Sequence, residues 1–222
     1  MLNDNILDTL IFNKSEIKYK KYHCARTLEA FQFLKLNLGE KIAACYDSIE
    51  RQYSEMVNHD DCLRVIFSVE RPPEYSVTIR KLEVLNSEIK LNVVTLQSPP
   101  APARAFKWEN RQSWELLAKN RPNGADDTLV LNSGLLVETS RFNIFCYDAD
   151  SDLILTPELG SGCINGVFRR FAIATGFLNL SGSKKVKVIE KNICFKDIKN
   201  YKIFVGNSVR GLLPASIMNE VF

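Results

Sequence analysis

Four short stretches, in a fixed order along the chain, carry the residues whose types could do chemistry together. Lys107 comes first, between two aromatic residues, and Glu138 follows at the end of an apolar run. Two glycine-marked turns come later, around Gly166 and Gly206. A lysine amine can bind an aldehyde, a buried carboxylate can face a ring nitrogen, and backbone N–H groups at a helix start can bind a phosphate. The series therefore predicts a site for a cofactor that has all three groups.

Lys107 is the residue predicted to do the covalent chemistry. Its neighbours Phe106 and Trp108 would exclude water from the ammonium group, lower its pKa and favour the neutral nucleophile. A lysine between two aromatic residues is usually an ordinary surface residue, so its place in the ordered series decides the interpretation. Asn110 and Arg111 follow it in the pattern Lys-x-x-Asn-Arg.

Glu138 is the carboxylate predicted to face the ring nitrogen. It follows the apolar residues Leu135 to Val137, and in a regular strand it would share a face with Leu136. The ordinary alternative is a solvent-facing glutamate on an antiparallel strand. A phosphate-binding turn is predicted at Gly166-Val167, where a helix begins. The second glycine-marked turn, at Asn207-Ser208, also carries a side-chain hydroxyl.

The elements that must position these residues follow from hydrophobic periodicity and turn residues. Strands are predicted at about 6–12, 16–20, 63–69, 75–82, 89–96, 128–131, 135–139, 142–147, 153–155, 185–190 and 201–206. Helices are predicted at about 27–34, 39–57, 108–119 and 165–176. The proline-rich stretch from Ser98 to Ala103 predicts a stiff, extended linker. The domains expected are a smaller one at 1–97, a linker at 98–106 and a larger one with a barrel-like sheet at 107–222.

The overall composition is that of an ordinary globular protein and excludes several classes of function. A net charge of +3 is too small to predict binding to nucleic acid or to a membrane. Six scattered cysteines without a C-x-x-C pair predict neither a zinc site nor a redox motif, and we expect no metal. No signal segment or membrane span is recognisable, so we expect a cytoplasmic protein with free thiols.

The ordered series resembles the class IV aminotransferase family, the fold-type IV enzymes that use pyridoxal 5′-phosphate (PLP). The resemblance extends from Leu7 to Pro214. Within the family, the motifs are most similar to those of the 4-amino-4-deoxychorismate lyases. Family members usually carry a further N-terminal segment before the position of Asn5, so we expect this chain to be a short form.

The resemblance implies an α+β fold of two domains, with PLP in the crevice between them. It implies that Lys107 binds the aldehyde and that Glu138 faces the pyridine nitrogen. It further implies that the remaining cofactor-binding residues are Arg26, Asn143, Gly166, Val167, Asn207 and Ser208. Arg26 comes from the pattern His-x-x-Arg, in which we interpret His23 as a packing residue. Arg104 and Arg210 are candidates for the substrate carboxylates on charge and position alone.

The reaction implied is the conversion of 4-amino-4-deoxychorismate to 4-aminobenzoate and pyruvate, a step toward folate. An aminotransferase acting on D-amino or branched-chain amino acids would use the same cofactor residues. A PLP-binding protein without turnover is a third alternative. The resemblance also implies a homodimer with a small-molecule substrate.

Overall fold

The computed structural model describes residues 4–96, 102–180 and 184–218. The predicted α+β fold is confirmed, and the chain divides into two compact units. The first unit comprises Met1–Val84 with Phe106–Arg111, and the second comprises Leu85–Ala105 with Gln112–Phe222. Each unit has an apolar core of its own.

The first unit pairs a small antiparallel sheet with two helices. Its strands are β1 (Ile6–Leu10), β2 (Phe12–Asn13), β3 (Glu16–Ile17), β4 (Asp61–Phe67) and β5 (Tyr75–Lys81), and its helices are α1 (Lys20–Phe33) and α2 (Gly39–Tyr53). The main sheet has the order β1-β4-β5, while β2 and β3 form a short separate hairpin. Helix α2 buries Ile42, Tyr46 and Ile49 at helical spacing, against the inward-facing residues of β4.

The second unit is built around a nine-stranded sheet. Its strands are β6 (Ile89–Thr95), β7 (Asp127–Asn132), β8 (Leu135–Thr139), β9 (Asn143–Asp148), β10 (Leu153–Thr156), β11 (Phe177–Asn179), β12 (Lys185–Glu190), β13 (Tyr201–Asn207) and β14 (Gly211–Ile217). Its helices are α3 (Gln112–Lys119) and α4 (Val167–Thr175), with short 3-10 helices at Pro102–Ala105, Leu159–Ser161 and Phe195–Asn200.

The sheet of the second unit closes on itself. The strand order is β11-β12-β10-β9-β13-β14-β6-β7-β8, and β8 also pairs with β9. Six of these strands therefore form a ring, which encloses Leu91, Leu129, Ile144 and Val205 among other aliphatic residues. The inward-facing residues alternate along each strand with residues on the outer face of the ring, where α4 packs.

The division into units differs from the predicted boundary at residue 97. Strand β6 was assigned to the N-terminal domain, but it pairs in parallel with β7 and β14 and so belongs to the second unit. Residues Phe106–Arg111 pair with β1 and belong to the first unit. Ser98–Ala101 of the predicted linker lie outside the described residues, and Pro102–Ala105 form a 3-10 helix. Alternation predicts that a segment is a strand, but it does not predict the strand's partner.

Three predicted helices have limits in the structure that differ by four residues or more. The helix expected at 39–57 ends at Tyr53. The helix expected at 108–119 begins only at Gln112, because the preceding residues are extended and hydrogen-bond to β1. The helix expected at 27–34 begins at Lys20, after Tyr19 in the left-handed conformation. Strands β11 and β14 were not predicted, and Pro214 in β14 is a residue that argues against a central strand.

Candidate active site

Lys107 lies on an extended segment that runs antiparallel to β1. The Lys107 carbonyl oxygen accepts a hydrogen bond of 2.8 Å from the Leu7 N–H, and the Glu109 N–H donates to the Asn5 carbonyl oxygen. Trp108 pairs with Ile6 across the same edge. Backbone pairing at the Lys107 carbonyl and at the two residues after it therefore fixes the segment against β1.

The Lys107 amine is half-buried, and its surroundings favour the neutral form more than water does. Its Nζ donates a 2.9 Å hydrogen bond to the Thr9 hydroxyl oxygen. Removal from water, together with the nearby Arg26 cation, lowers the pKa of Lys107 to about 7 from its ordinary 10.5, although Asp8 acts in the opposite direction. A neutral lysine amine is the form that attacks a carbonyl carbon, so the local environment fits covalent chemistry.

A buried polar cluster surrounds Asp8 in the first unit. His23 and Arg26 are three residues apart on α1 and so lie on one face of it, directed at Asp8 on β1. The Asp8 carboxylate accepts hydrogen bonds from His23 Nδ1 (2.8 Å), from the Arg26 guanidinium and from the Tyr46 hydroxyl. Burial alone would raise the pKa of Asp8, but these partners outweigh it and hold the pKa well below its ordinary value. Asp8 is therefore an anion at neutral pH.

Glu138 is buried in the second unit, with only 4% of its surface exposed. Its position depends on a β-bulge: Val130 of β7 pairs with Glu138 of β8, whereas Leu131 pairs with Leu136. The extra residue, Val137, places Glu138 on the face of Val130 rather than on that of Leu136. The predicted burial of Glu138 is confirmed, but the prediction that it shares a face with Leu136 is wrong, because strict alternation fails across a bulge.

The Glu138 carboxylate contacts a backbone N–H group and a guanidinium within the second unit. Its Oε2 accepts a 2.9 Å hydrogen bond from the Ile164 N–H, and its Oε1 lies 3.8 Å from a terminal nitrogen of Arg104. The Arg104 guanidinium also lies over the Trp114 ring, 5.5 Å from its centroid. The structure thus places Arg104, a candidate for substrate carboxylates, beside the carboxylate predicted for the cofactor ring.

The turn at Gly166 precedes α4 and leaves no room for a side chain. A Cβ on Gly166 would lie 2.1 Å from Oδ1 of Asn143, so only glycine fits. Asn143 also donates from Nδ2 to the Ile164 carbonyl oxygen at 2.9 Å. Gly166 is extended, and no side chain caps the helix there. The N–H groups that begin α4 lie at the positive end of the helix dipole, a position that favours an anion.

The second predicted turn lies next to the first within the second unit. Gly206 pairs with Asn143 across β13 and β9, and a Cβ on Gly206 would lie 2.7 Å from the Phe168 ring in the first turn of α4. Asn207 Oδ1 accepts hydrogen bonds from the N–H groups of Val209 and Arg210. This arrangement shapes the turn that contains the half-buried Ser208 and Arg210.

Each unit thus brings together part of the predicted set. In the first unit, Lys107 and Arg26 lie around Asp8 and Thr9. In the second unit, contacts connect Glu138 with Asn143, and Asn143 with Gly166 and Gly206. Val167 follows Gly166 in the first turn, and Asn207 and Ser208 follow Gly206 in the second. The residue types within each unit fit PLP. The first unit offers a lysine whose pKa lies near neutrality for the aldehyde. The second unit offers a buried carboxylate for the ring nitrogen and backbone N–H groups at the start of α4 for the phosphate.

Sequence reasoning missed four residues of these clusters. Asp8, Thr9 and Tyr46 are the partners described above, and the fully buried Arg169 donates to the Pro157 carbonyl oxygen at 2.7 Å and to Asn165 Oδ1 at 3.3 Å. The available signal for Asp8 was a charge between Ile6 and Leu10 on the inward face of an apolar strand. Tyr46 lies on an apolar helix face and carries no such signal.

Comparison with known proteins identifies the family. The family model described as amino-transferase class IV matches residues 5–217, nearly the whole chain. The chain belongs to the class IV aminotransferase family. No curated protein sequence matches it.

Solved structures of the class IV family share the fold. A protein from Mesorhizobium loti, provisionally titled an amino-acid aminotransferase, is 20% identical with a TM-score of 0.76, covering 96% of this chain and 99% of that one. A 4-amino-4-deoxychorismate lyase from Pseudomonas aeruginosa is 17% identical with a TM-score of 0.73, covering 99% and 84%. A hypothetical aminotransferase from Mycobacterium tuberculosis in its PLP-bound form is 13% identical with a TM-score of 0.78, covering 98% and 82%.

At these identities the three class IV structures establish the fold and not the reaction. Within the described part of the chain, no helix is long and apolar enough to cross a membrane.

Proposed function

We propose that this class IV enzyme is a PLP-dependent lyase that converts 4-amino-4-deoxychorismate to 4-aminobenzoate and pyruvate. The observation that carries the proposal is the Lys107 amine, which has a strongly lowered pKa and is held by Thr9 at the start of the pattern Lys-x-x-Asn-Arg. A solved lyase of this name, from Pseudomonas aeruginosa, shares the fold. The pattern of Asn207-Ser208 in the second turn is a further similarity to the lyases.

The proposal assigns a role to each predicted residue. Lys107 would bind the cofactor aldehyde, and its amine would then move protons at the substrate. Glu138 would hold the proton of the pyridine nitrogen, since it is a buried carboxylate fixed by the Ile164 N–H. When bound, PLP would supply an electron sink for cleavage of the bond to the leaving pyruvate.

The phosphate would be held by the backbone of the two turns and by Arg26. Phe168, in the first turn of α4, lies beside Gly206, which directly precedes Asn207 and Ser208, so the two turns are neighbours; this supports the assignment. Arg26 contributes a buried guanidinium with one terminal nitrogen bonded to Asp8. Aligned backbone N–H groups together with a guanidinium are a common way to bind phosphate.

The substrate carboxylates would be bound by arginine side chains of the second unit. Arg210 lies in the second turn, and Arg104 lies beside Glu138. A substrate carboxylate bound by Arg104 would therefore also lie near the negative charge of Glu138. We further propose a cytoplasmic homodimer, as the family resemblance implies; light scattering on the purified protein would test the dimer.

An aminotransferase acting on D-amino or branched-chain amino acids is the second candidate. The observation that favours it is the likeness to the Mesorhizobium loti protein, which this chain covers almost completely. Both reactions would use the same cofactor residues, so the site does not discriminate between them. A PLP-binding protein without turnover would keep the same site as well.

The decisive experiment is incubation with 4-amino-4-deoxychorismate in the absence of any keto acid. A lyase needs no second substrate, so 4-aminobenzoate should accumulate over many turnovers. Conversion that stops after one equivalent and resumes on addition of a keto acid would instead identify an aminotransferase. PLP bound firmly without any conversion would identify a binding protein. Lys107→Ala should abolish conversion, whereas Lys81→Ala, a change at an exposed lysine of the same unit, should not.

A further inference from the structure

The carboxylate of Asp8 is the centre of the buried polar cluster in the first unit. It lies on the inward face of β1 between Ile6 and Leu10, and none of its surface is exposed. A fully buried carboxylate among aliphatic side chains is costly unless its partners compensate for the loss of water. Asp8 has such partners on two helices: His23 and Arg26 on α1, and Tyr46 on α2.

Two connections extend from this carboxylate to Lys107. The Thr9 N–H donates a 2.7 Å hydrogen bond to Asp8 Oδ1, and the Thr9 hydroxyl accepts from Lys107 Nζ at 2.9 Å. Arg26, held by Asp8, is the second connection, because its cation is one of the charges that act on the Lys107 amine. The Asp8–Arg26 ion pair is therefore connected to the Lys107 amine in two ways: through the hydrogen bonds of Thr9 and through the positive charge of Arg26.

We propose that the Asp8–Arg26 ion pair is a positioning device for Lys107, setting both the location and the charge of its amine. The proposal rests on the proposed function only in that Lys107 is the reactive amine. Neither Asp8 nor His23 needs to contact the cofactor for this role. Asp8 acts through Thr9 and Arg26, and His23 contributes by holding the second oxygen of the carboxylate.

The two members of the pair act on the amine in opposite directions. Burial is the largest cause of the lowered pKa of Lys107; the Arg26 cation lowers it further, and the Asp8 anion raises it. Arg111, on the same segment, and Arg64, on β4, also lower it. His23 is neutral, because burial lowers its own pKa despite the Asp8 anion. Asp8→Asn should therefore lower the pKa of Lys107, and Arg26→Met should raise it.

Labelling of the full chain by formaldehyde and cyanoborohydride over a pH series tests this inference directly. Bound carbonyl compounds are first removed with hydroxylamine, and the Lys107 peptide is then quantified by mass spectrometry. The midpoint of labelling should move down in Asp8→Asn and up in Arg26→Met, each by about 0.5–1.5 pH units for one charge a few ångström away. Both midpoints should stay below that of Lys81, because burial of Lys107 persists.

Asp61→Asn is the matched control, since Asp61 is a buried carboxylate of the same unit that pairs with Lys81 instead. It should leave the Lys107 midpoint unchanged. Shifts in the same direction in both pair variants, or no shift in either, would overturn the inference. If Asp8→Asn does not fold, Arg26→Met alone tests the inference. A labelling midpoint of Lys107 that is unchanged or lower in Arg26→Met would then refute the role of the ion pair. The labelling uses neither PLP nor substrate, so failure of the proposed function would show separately, in the conversion assay.

Discussion

Replacing Gly166 by alanine perturbs the turn before α4, which we propose binds the cofactor phosphate, at one atom. The new Cβ would lie 2.1 Å from Asn143 Oδ1, a distance that non-bonded atoms do not tolerate. The Asn143 side chain has little room to move, because it is only 4% exposed. Its backbone is also fixed, since Asn143 pairs with Glu138 on one side of β9 and with Gly206 on the other. Overpacking of this kind costs about 1–3 kcal/mol. The bond from Asn143 to the Ile164 carbonyl oxygen would add about 1 kcal/mol if broken.

The total, about 2–4 kcal/mol, is a large part of a domain's stability of about 5–15 kcal/mol. Urea unfolding should give a free energy of unfolding for Gly166→Ala that is lower by this amount than that of Gly160→Ala. Gly160→Ala is the matched control, because a Cβ on Gly160 meets nothing within 4 Å. Displacement of the turn should also weaken binding of PLP more than binding of pyridoxal, which lacks the phosphate. Equal unfolding free energies for the two alanine variants would refute the steric argument, and an unchanged preference for PLP would refute the phosphate assignment.

Three further predictions concern ionisable side chains that are removed from water. Glu138→Gln keeps the shape but not the charge, so PLP should still bind while kcat falls about a hundredfold or more; unchanged kcat would contradict the assignment. The pKa of Asp8 in the folded protein is below its ordinary 3.8, so the ionised carboxylate stabilises the folded state. This stabilisation is present above pH 3.8 and is lost as the pH falls toward the lowered pKa. The unfolding free energy should thus fall less steeply with acid in Asp8→Asn than in the wild type. Burial raises the pKa of Cys24 to about 12, so iodoacetamide should modify it slowly in the folded protein and rapidly in urea.

The elements around the site could be predicted well where local rules suffice. Helix α4 follows Asn165-Gly166 with its apolar residues at helical spacing, and it ends at Gly176 in the left-handed conformation, as glycine allows. The burial of Glu138 could be predicted from its apolar neighbours and the family resemblance. Its face could not be, because a bulge depends on the pairing of β7 with β8 and leaves no mark in the alternation of β8 alone.

Segment Phe106–Arg111 shows a second limit of local rules. The aromatic and polar residues after Lys107 suggested a helix that continues to Lys119, and nothing in that segment alone argues for a strand. Its conformation is decided by backbone groups of β1, about a hundred residues earlier, which would otherwise lack partners on that edge. Pairing with β1 also explains why Lys107 belongs to the first unit, although it follows strand β6 of the second.

The buried cluster around Asp8 could have been predicted by combining helical spacing on α1, in the pattern His-x-x-Arg, with alternation on β1. Spacing on α1 predicts that His23 and Arg26 share a face, and alternation on β1 predicts that Asp8 shares a face with Ile6 and Leu10. Neither rule alone brings these residues together. If α1 packs on the apolar face of β1, however, a buried carboxylate must meet two buried donors, because each would otherwise be uncompensated. Charge balance in the core thus predicts the Asp8–Arg26 pair once the packing of one helix on one strand is known.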